Sequence, residues 1–175
     1  MSQYPAILAG QRITASLLLN MLPLTAYKTA NTDRSATTLF ADDPDLLLPL
    51  AASAVYLVSM RIYFATPTGG GAPLFKTAWD VPAGWTGNRT CMGPGSAATD
   101  SGADNMAGHY GVHNPPTAVT YGGRNSSTNL AIALETAILT TTTAGNVALQ
   151  WAQATSSASP VRVGAGSSIT ATRIG

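Results

Sequence analysis

The chain has 175 residues, 45% of them hydrophobic and only 10% charged, with a formal net charge of +1; an ordinary soluble domain carries about 25% charged residues. So few ions cannot hold copies apart by repulsion, which favours a permanent subunit over a free monomer solvated by Thr, Ser, Asn and Gln. The composition also speaks against three other classes. Lys28, Lys76 and seven scattered arginines form no phosphate-neutralising stripe. A lone Cys91 excludes an intrachain disulfide. No segment reaches the roughly 18 uninterrupted apolar residues of a membrane helix.

A single domain of this length buries roughly two thirds of the surface its unfolded chain exposes. Residues 1–23 read as an arm distinct from the rest. In "ITASLLLNMLPL", Ile13, Leu17 and Met21 recur at spacing four with Leu18 and Leu22 beside them, and Pro23 ends the run. The spacing predicts one or two turns of amphipathic helix, too short to stand alone. Such an arm either plugs its own domain or grips a neighbour through Arg12, Ile13, Leu17, Leu18, Met21 and Leu22. The same start resembles a secretion signal only superficially, because its first eleven residues are uncharged and Asn20 interrupts the apolar stretch.

From residue 24 the period changes to two, the alternation of a strand. "LTAYKTA" (24–30), "RSATTLF" (34–40) and "LLLPLAASAVYLV" (46–58, read as two strands) open the series. In "VYLVSMRIYF" Tyr56, Val58, Met60, Ile62 and Phe64 share one face, predicted to be fully buried; Val55, Leu57, Ser59, Arg61 and Tyr63 share a mixed face. "PLFKTAW" (73–79), "TAVTY" (117–121), "LAIALETAILTT" (130–141), "NVALQWAQ" (146–153), "PVRVG" (160–164) and "SSITATRI" (167–174) continue it, separated by turn formers. Nine or ten short strands with no later helix predict an all-β, jelly-roll-like β-sandwich over residues 24–175, preceded by the short helical or extended arm. Residues 82–128, dense in Gly, Pro, Asn, Ser and Asp, read as a long loop insertion over one end.

Constellations for chemistry are weak. "HYGVH" spaces His109 and His113 four apart, the spacing of two metal ligands on a helix, but the surrounding glycines and Pro115–Pro116 argue against a helix. Asp100, Asp104 and Cys91 lie near in sequence, yet hydrogen-bonded loop histidines are the simpler reading. No metal and no cofactor is expected. Nothing flanking Cys91 would activate a thiol, so it reads as a small buried hydrophobe. Glycoside hydrolysis needs two facing carboxyls; the single glutamate is Glu135, and the aspartates sit in turn-like sequence, with "DDPD" (42–45) read as a solvated turn. "TPTGGGAP" and "MGPGS" precede no helix and are turns rather than phosphate cradles. "NRT" and "NSS" match the glycosylation acceptor pattern, a signal without weight unless the chain is secreted. Aromatic and histidine side chains of the long loop, Trp79, Trp85, His109, Tyr110, His113 and Tyr121, are the candidates for stacking on a sugar ring or anchoring a protein, with structural burial as the competing account.

The segments "AGQRITASLLLNMLPLTAYKTANTDRSATTLFADDPDLLLPLAASAVYLV", "WDVPAGWTGNRTCMGPGS" and "LQWAQATSSASPVRVGAGSSITATRI" resemble small virion proteins of tailed phages and prophages that infect actinobacteria, over nearly the whole chain. The closing strand order also resembles trimeric jelly rolls of the tumour-necrosis-factor type. The resemblance implies a non-enzymatic virion structural protein made in the host cytoplasm, a homotrimer that decorates or stabilises the capsid through the major capsid protein. The alternative it implies is a tail fibre or minor tail protein binding a host surface glycan. Neither role involves nucleic acid or membrane. A shared fold does not fix function.

Overall fold

The computed structural model describes residues 9–19, 21–67, 73–96 and 108–175. A short helix, α1 (Ala15–Leu19), is followed by β1 (Leu24–Tyr27), β2 (Thr32–Arg34), β3 (Ala41–Leu50), β4 (Ala54–Thr66), β5 (Phe75–Asp80), β6 (Arg89–Pro94), β7 (Gly108–His113), β8 (Val119–Tyr121), β9 (Ser126–Thr141), β10 (Gly145–Gln153), β11 (Val161–Val163) and β12 (Ser168–Arg173). They form two sheets. Sheet A runs β1-β12-β4-β9-β6-β7, with β11 pairing β4 and β2 pairing β11; sheet B runs β3-β10-β5-β8.

This order is a jelly roll. Four antiparallel pairings nest inside one another: β1 with β12, β3 with β10, β4 with β9, and β5 with β8. A chain doubled into one long ribbon and wrapped across two faces gives that nesting, with successive ribbon pairs assigned alternately to each sheet. β6 and β7 pair with each other inside the fourth of these, β5 with β8, and extend sheet A beyond β9.

Inward residues of the two sheets fill the space between them. The β4 face foreseen as buried is buried: Tyr56, Val58, Met60, Ile62 and Phe64 meet Leu46, Leu48, Phe75, Trp79, Leu149 and Trp151. Phe64 stacks on Phe75 with ring centroids 4.5 Å apart, joining the sheets. Each such side chain contributes about 1.5–3 kcal/mol by leaving water.

Besides "RSATTLF", of which only Arg34 lies in a strand while 35–40 connect β2 to β3, two segments differ from their sequence readings. "DDPD" belongs to β3, an edge strand of sheet B, rather than to a solvated turn. Here the register against β10 shifts, from Leu47 opposite Ala148 to Asp42 opposite Gln150. Pro44, which has no N–H to give the ladder, is tolerated at such an edge irregularity, and Asp43 is turned inward. There its carboxylate accepts from Lys28 Nζ (2.9 Å and 3.1 Å) and Trp151 Nε1 (3.0 Å), while Asp45 accepts from the same ammonium at 2.7 Å. Arg34 lies 4.0 Å over the Trp151 ring and donates to the carbonyls of Ala41 and Asp42. The second difference is 82–128, which contains β6, β7, β8 and the start of β9 instead of one long loop. Two of its glycines make room for neighbouring rings. A Cβ on Gly93 would lie 2.9 Å from the Tyr121 ring, and one on Gly111 would lie 2.5 Å from the His113 imidazole.

Candidate assembly surface

One cluster of buried polar groups resembles a catalytic centre in composition. Glu135, on the inward face of β9, accepts from Thr77 Oγ1 at 2.6 Å, Tyr121 OH at 2.8 Å, Trp79 Nε1 and Arg89 Nη1. Arg89 Nη2 also donates to the carbonyls of Thr77 and Thr117. All five side chains are within the core, so the network ties sheet A to sheet B and offers no substrate a way in. Cys91 sits beside it and is fully buried. Desolvation, reinforced by the Glu135 carboxylate, pushes its thiol up to about 11, so it is neither nucleophile nor ligand at neutral pH. Tyr121 is displaced upward for the same two reasons.

The sequence-predicted ligand residues do not converge. Trp79 and Tyr121 are core side chains and Trp85 is half-buried. His109 and His113 are half-buried on the inner side of β7, rings 5.7 Å apart on either side of Gly111, with His109 edge-on to Tyr121. Their Nε2 atoms are buried without a hydrogen-bond partner among the described residues. Among those residues no group of three metal-ligating side chains forms, and Asp100 and Asp104 lie outside them. Tyr110, one position from His109, points the other way and is 76% exposed.

That other side is the outer face of sheet A. Cross-strand register and alternation set its rows. One row runs Tyr110, Met92, Leu134, Arg61, Ser168, Tyr27; the next runs Val112, Thr90, Thr136, Ser59, Thr170, Thr25. Ile138, Leu57 and Thr172 form a third, and Ile132 faces Tyr63 at the opposite end. Along these six strands Arg61 is the one charged outward side chain among the described residues. Ile138, at 56%, is the most exposed of the large outward hydrophobics of β9, and Leu57, Ile132 and Leu134 are also open to solvent.

β9 is inverted relative to an ordinary one-sided strand, which turns its large apolar residues inward. Its inner positions are Ala131, Ala133, Glu135, Ala137 and Leu139; its outer ones are Leu130, Ile132, Leu134, Thr136 and Ile138. Sheet B explains the small inner residues, since Trp79, Trp151, Phe75 and Tyr121 already fill the interior. Among the described residues, nothing covers Ile132, Leu134 and Ile138. Sequence reading missed this face because "LAIALETAIL" is apolar on both sides, leaving periodicity unable to say which side is inside.

At the β6–β7 end of this face lies a cavity of about 720 Å³, lined by Tyr63, Met92, Tyr110, Arg124, Leu130 and Leu134 among others. Its lining is mostly apolar, and Arg124 Nε is buried there without a hydrogen-bond partner among the described residues. The arm is the second uncovered apolar element. Thr14 caps α1 by accepting from Leu17 N–H through its hydroxyl at 3.2 Å. Ile13, Leu18, Met21 and Leu22 are exposed, Leu17 is half-buried and Arg12 is exposed. No helix among the described residues is long and apolar enough to cross a membrane.

No family model matches the chain, and no curated protein matches it. Among solved structures, it is similar to a chain from "Structure of infectious bursal disease virus Gx strain", at 13% identity and TM-score 0.23, covering 87% of this chain and 38% of that one. It is also similar to one from "Crystal structure of infectious bursal disease virus VP2 subviral particle", at 8% identity and TM-score 0.20, covering 88% and 37%. The chain thus spans under two fifths of the length of these neighbours, and likeness at such scores carries no argument about role.

Proposed function

We propose that this protein is a non-enzymatic virion structural protein of a tailed phage, a homotrimer that decorates or stabilises the capsid and contacts the major capsid protein. The carrying observation is the outer face of the six-stranded path of sheet A, rich in Leu, Ile, Val, Tyr and Thr, where Arg61 is the one charged outward strand residue among the described residues. Soluble monomers rarely leave contiguous apolar patches beyond a few hundred Å² uncovered. A face built this way suits burial between identical subunits, where each unpaired ion would cost several kcal/mol. The sequence resemblance to actinophage virion proteins supplies the setting. The buried Glu135 network, closed to solvent, supports a structural rather than catalytic use of the one carboxylate and arginine that meet in the core.

The test has two parts. Light scattering of the purified chain should give three copies per particle, and purified heads carrying it should hold many copies and survive heating better than heads without it. Single chains at high concentration with no affinity for heads would overturn the proposal. A tail fibre or minor tail protein binding a host surface glycan is the second reading, favoured by exposed Tyr110 and by Tyr63 and Arg124 at the cavity. Few copies per virion, and competition of cell-wall polysaccharide with adsorption, would select it.

A further inference from the structure

We propose that Lys28 and Asp43 condense into an intramolecular amide, an isopeptide cross-link between the two sheets, with Asp45 as the proton carrier. This modification is independent of whether the chain assembles.

The reactants are of the right kind. Lys28–Asp43 and Arg89–Glu135 are ion pairs with both side chains fully buried. A guanidinium keeps its charge in proteins, whereas an ammonium that gives up a proton becomes a nucleophile. Two buried ions also carry a desolvation penalty, which a neutral amide removes.

They are placed for reaction as well. Lys28 Nζ lies 2.9 Å from one Asp43 carboxylate oxygen and 3.1 Å from the other. That near-symmetry puts the nitrogen within about 3.5 Å of the carboxyl carbon, the separation of a near-attack pair. The Lys28 backbone is pinned, its N–H donating to the Ser167 carbonyl at 2.8 Å and its carbonyl accepting from Gly166 N–H at 2.9 Å. Asp43 Oδ2 accepts from Trp151 Nε1 at 3.0 Å and Oδ1 from Asp45 N–H at 3.1 Å. Such donors polarise a carboxyl and hold the charge that develops on its oxygen. Asp45 Oδ2 accepts from Lys28 Nζ at 2.7 Å, and the Asp45 side chain is 47% exposed, which gives the site an outlet to solvent.

The Lys28 ammonium passes one proton to Asp43 Oδ1, leaving a neutral amine and a neutral acid. Nζ attacks the carboxyl carbon, and the displaced electron pair rests on Oδ2 beside Trp151. Asp45 takes a proton from the nitrogen and delivers it to Oδ1, which leaves as water while the carbonyl re-forms. One C–N bond forms, one C–O bond breaks, and Asp45 ends as it began. Lys28 directly follows β1, the edge of sheet A, and Asp43 lies in β3, the edge of sheet B. The bond therefore closes one side of the sandwich and constrains the unfolded chain as a disulfide does.

Intact-mass spectrometry of the denatured full-length chain tests this. The expected mass is one water below that of the sequence. Trypsin should then cut after Arg12, Arg34 and Arg61, leave Lys28 uncut, and release 13–34 joined to 35–61, with fragmentation placing the bond at Asp43. Lys28→Arg keeps the positive charge but cannot form the amide, so it should show its full sequence mass. Asp45→Asn should fold with unchanged circular dichroism and form the bond about a hundredfold more slowly, the contribution of a general acid–base. A folded native chain that keeps the full sequence mass overturns the proposal. So does a water loss that persists in Lys28→Arg, or a bond that maps to a carboxyl other than Asp43. An unchanged rate in Asp45→Asn overturns its part as proton carrier.

Discussion

The two sheets of this jelly roll share one core and present opposite exteriors. Outward positions of sheet B include Asp42, Lys76, Asp80, Asn146 and Gln150, with Gln150 donating to Asp42 at 2.8 Å, an ordinary solvated face. Outward positions of the six-stranded path of sheet A are Leu, Ile, Val, Met, Tyr, Ser and Thr around Arg61. The scarcity of charge is therefore not spread evenly over the molecule. It is concentrated on one face, where ions would obstruct contact, and relieved on the other, where water remains. On the proposed assembly reading, composition points to a subunit and the sheet register to the side that would be joined.

The contrast holds only if fold and face are separable, and the severest test is internal. Arg89→Met leaves Glu135 buried with its strongest donor gone, and breaking such a pair costs about 3–5 kcal/mol. Chemical denaturation should show that loss, with self-association per folded chain unchanged. Next, Leu134→Glu with Ile138→Glu places two carboxylates on the outer face of sheet A. Denaturation midpoints should hold while light scattering reports weakening of assembly by more than about a hundredfold, near 2.8 kcal/mol.

The mirror substitution sharpens the same point. Asn146→Glu adds a charge to the exposed face of sheet B, and assembly should not change, with stability moving by no more than about 0.5 kcal/mol. Cys91 gives a chemical check on the core between the faces. With its thiol held near 11 by burial and by Glu135, native protein should leave a thiol reagent unreacted at pH 8, and denaturant should release the reaction.

A small effect belongs to Asp33, whose carboxyl is held below its ordinary value first by its hydrogen bonds from Arg162 and then by the same charge. A depressed folded value contributes stability above the unfolded pKa, near 3.9, and loses it as pH falls through the folded one. Because the pair is exposed, the contribution is under about 1 kcal/mol. Arg162→Gln should abolish that part of the acid-side slope of the melting temperature.

How much of this was legible in the sequence varies from strand to strand. β4 was readable because Ser59 and Arg61 mark its outer side against Tyr56, Val58, Met60 and Ile62. β9 was not, since alanine inside and leucine outside defeat a rule that equates bulk with burial. Asp43 was missed because its partner, Lys28, lies fifteen residues away across a register shift no local pattern announces. The Gly-rich stretch was misjudged because glycine signals a turn when read alone, whereas Gly93 and Gly111 make room for the rings of Tyr121 and His113. The scattered ligand candidates show the same limit: His109 and Tyr110 are neighbours in sequence and face opposite ways.

Glu135 has one more consequence, and it concerns the chain before it folds. From Leu130 to Ala144 it is the lone ionic group in fifteen residues otherwise made of Ala, Leu, Ile and Thr, a composition prone to stacking into cross-β ribbons when exposed. The nested pairings of a jelly roll join distant stretches, so they close slowly and keep that stretch unprotected for longer. A carboxylate at its centre is the kind of interruption that holds nascent strands apart during synthesis; replacing it with glutamine should lower the yield of refolding at high protein concentration more than at low.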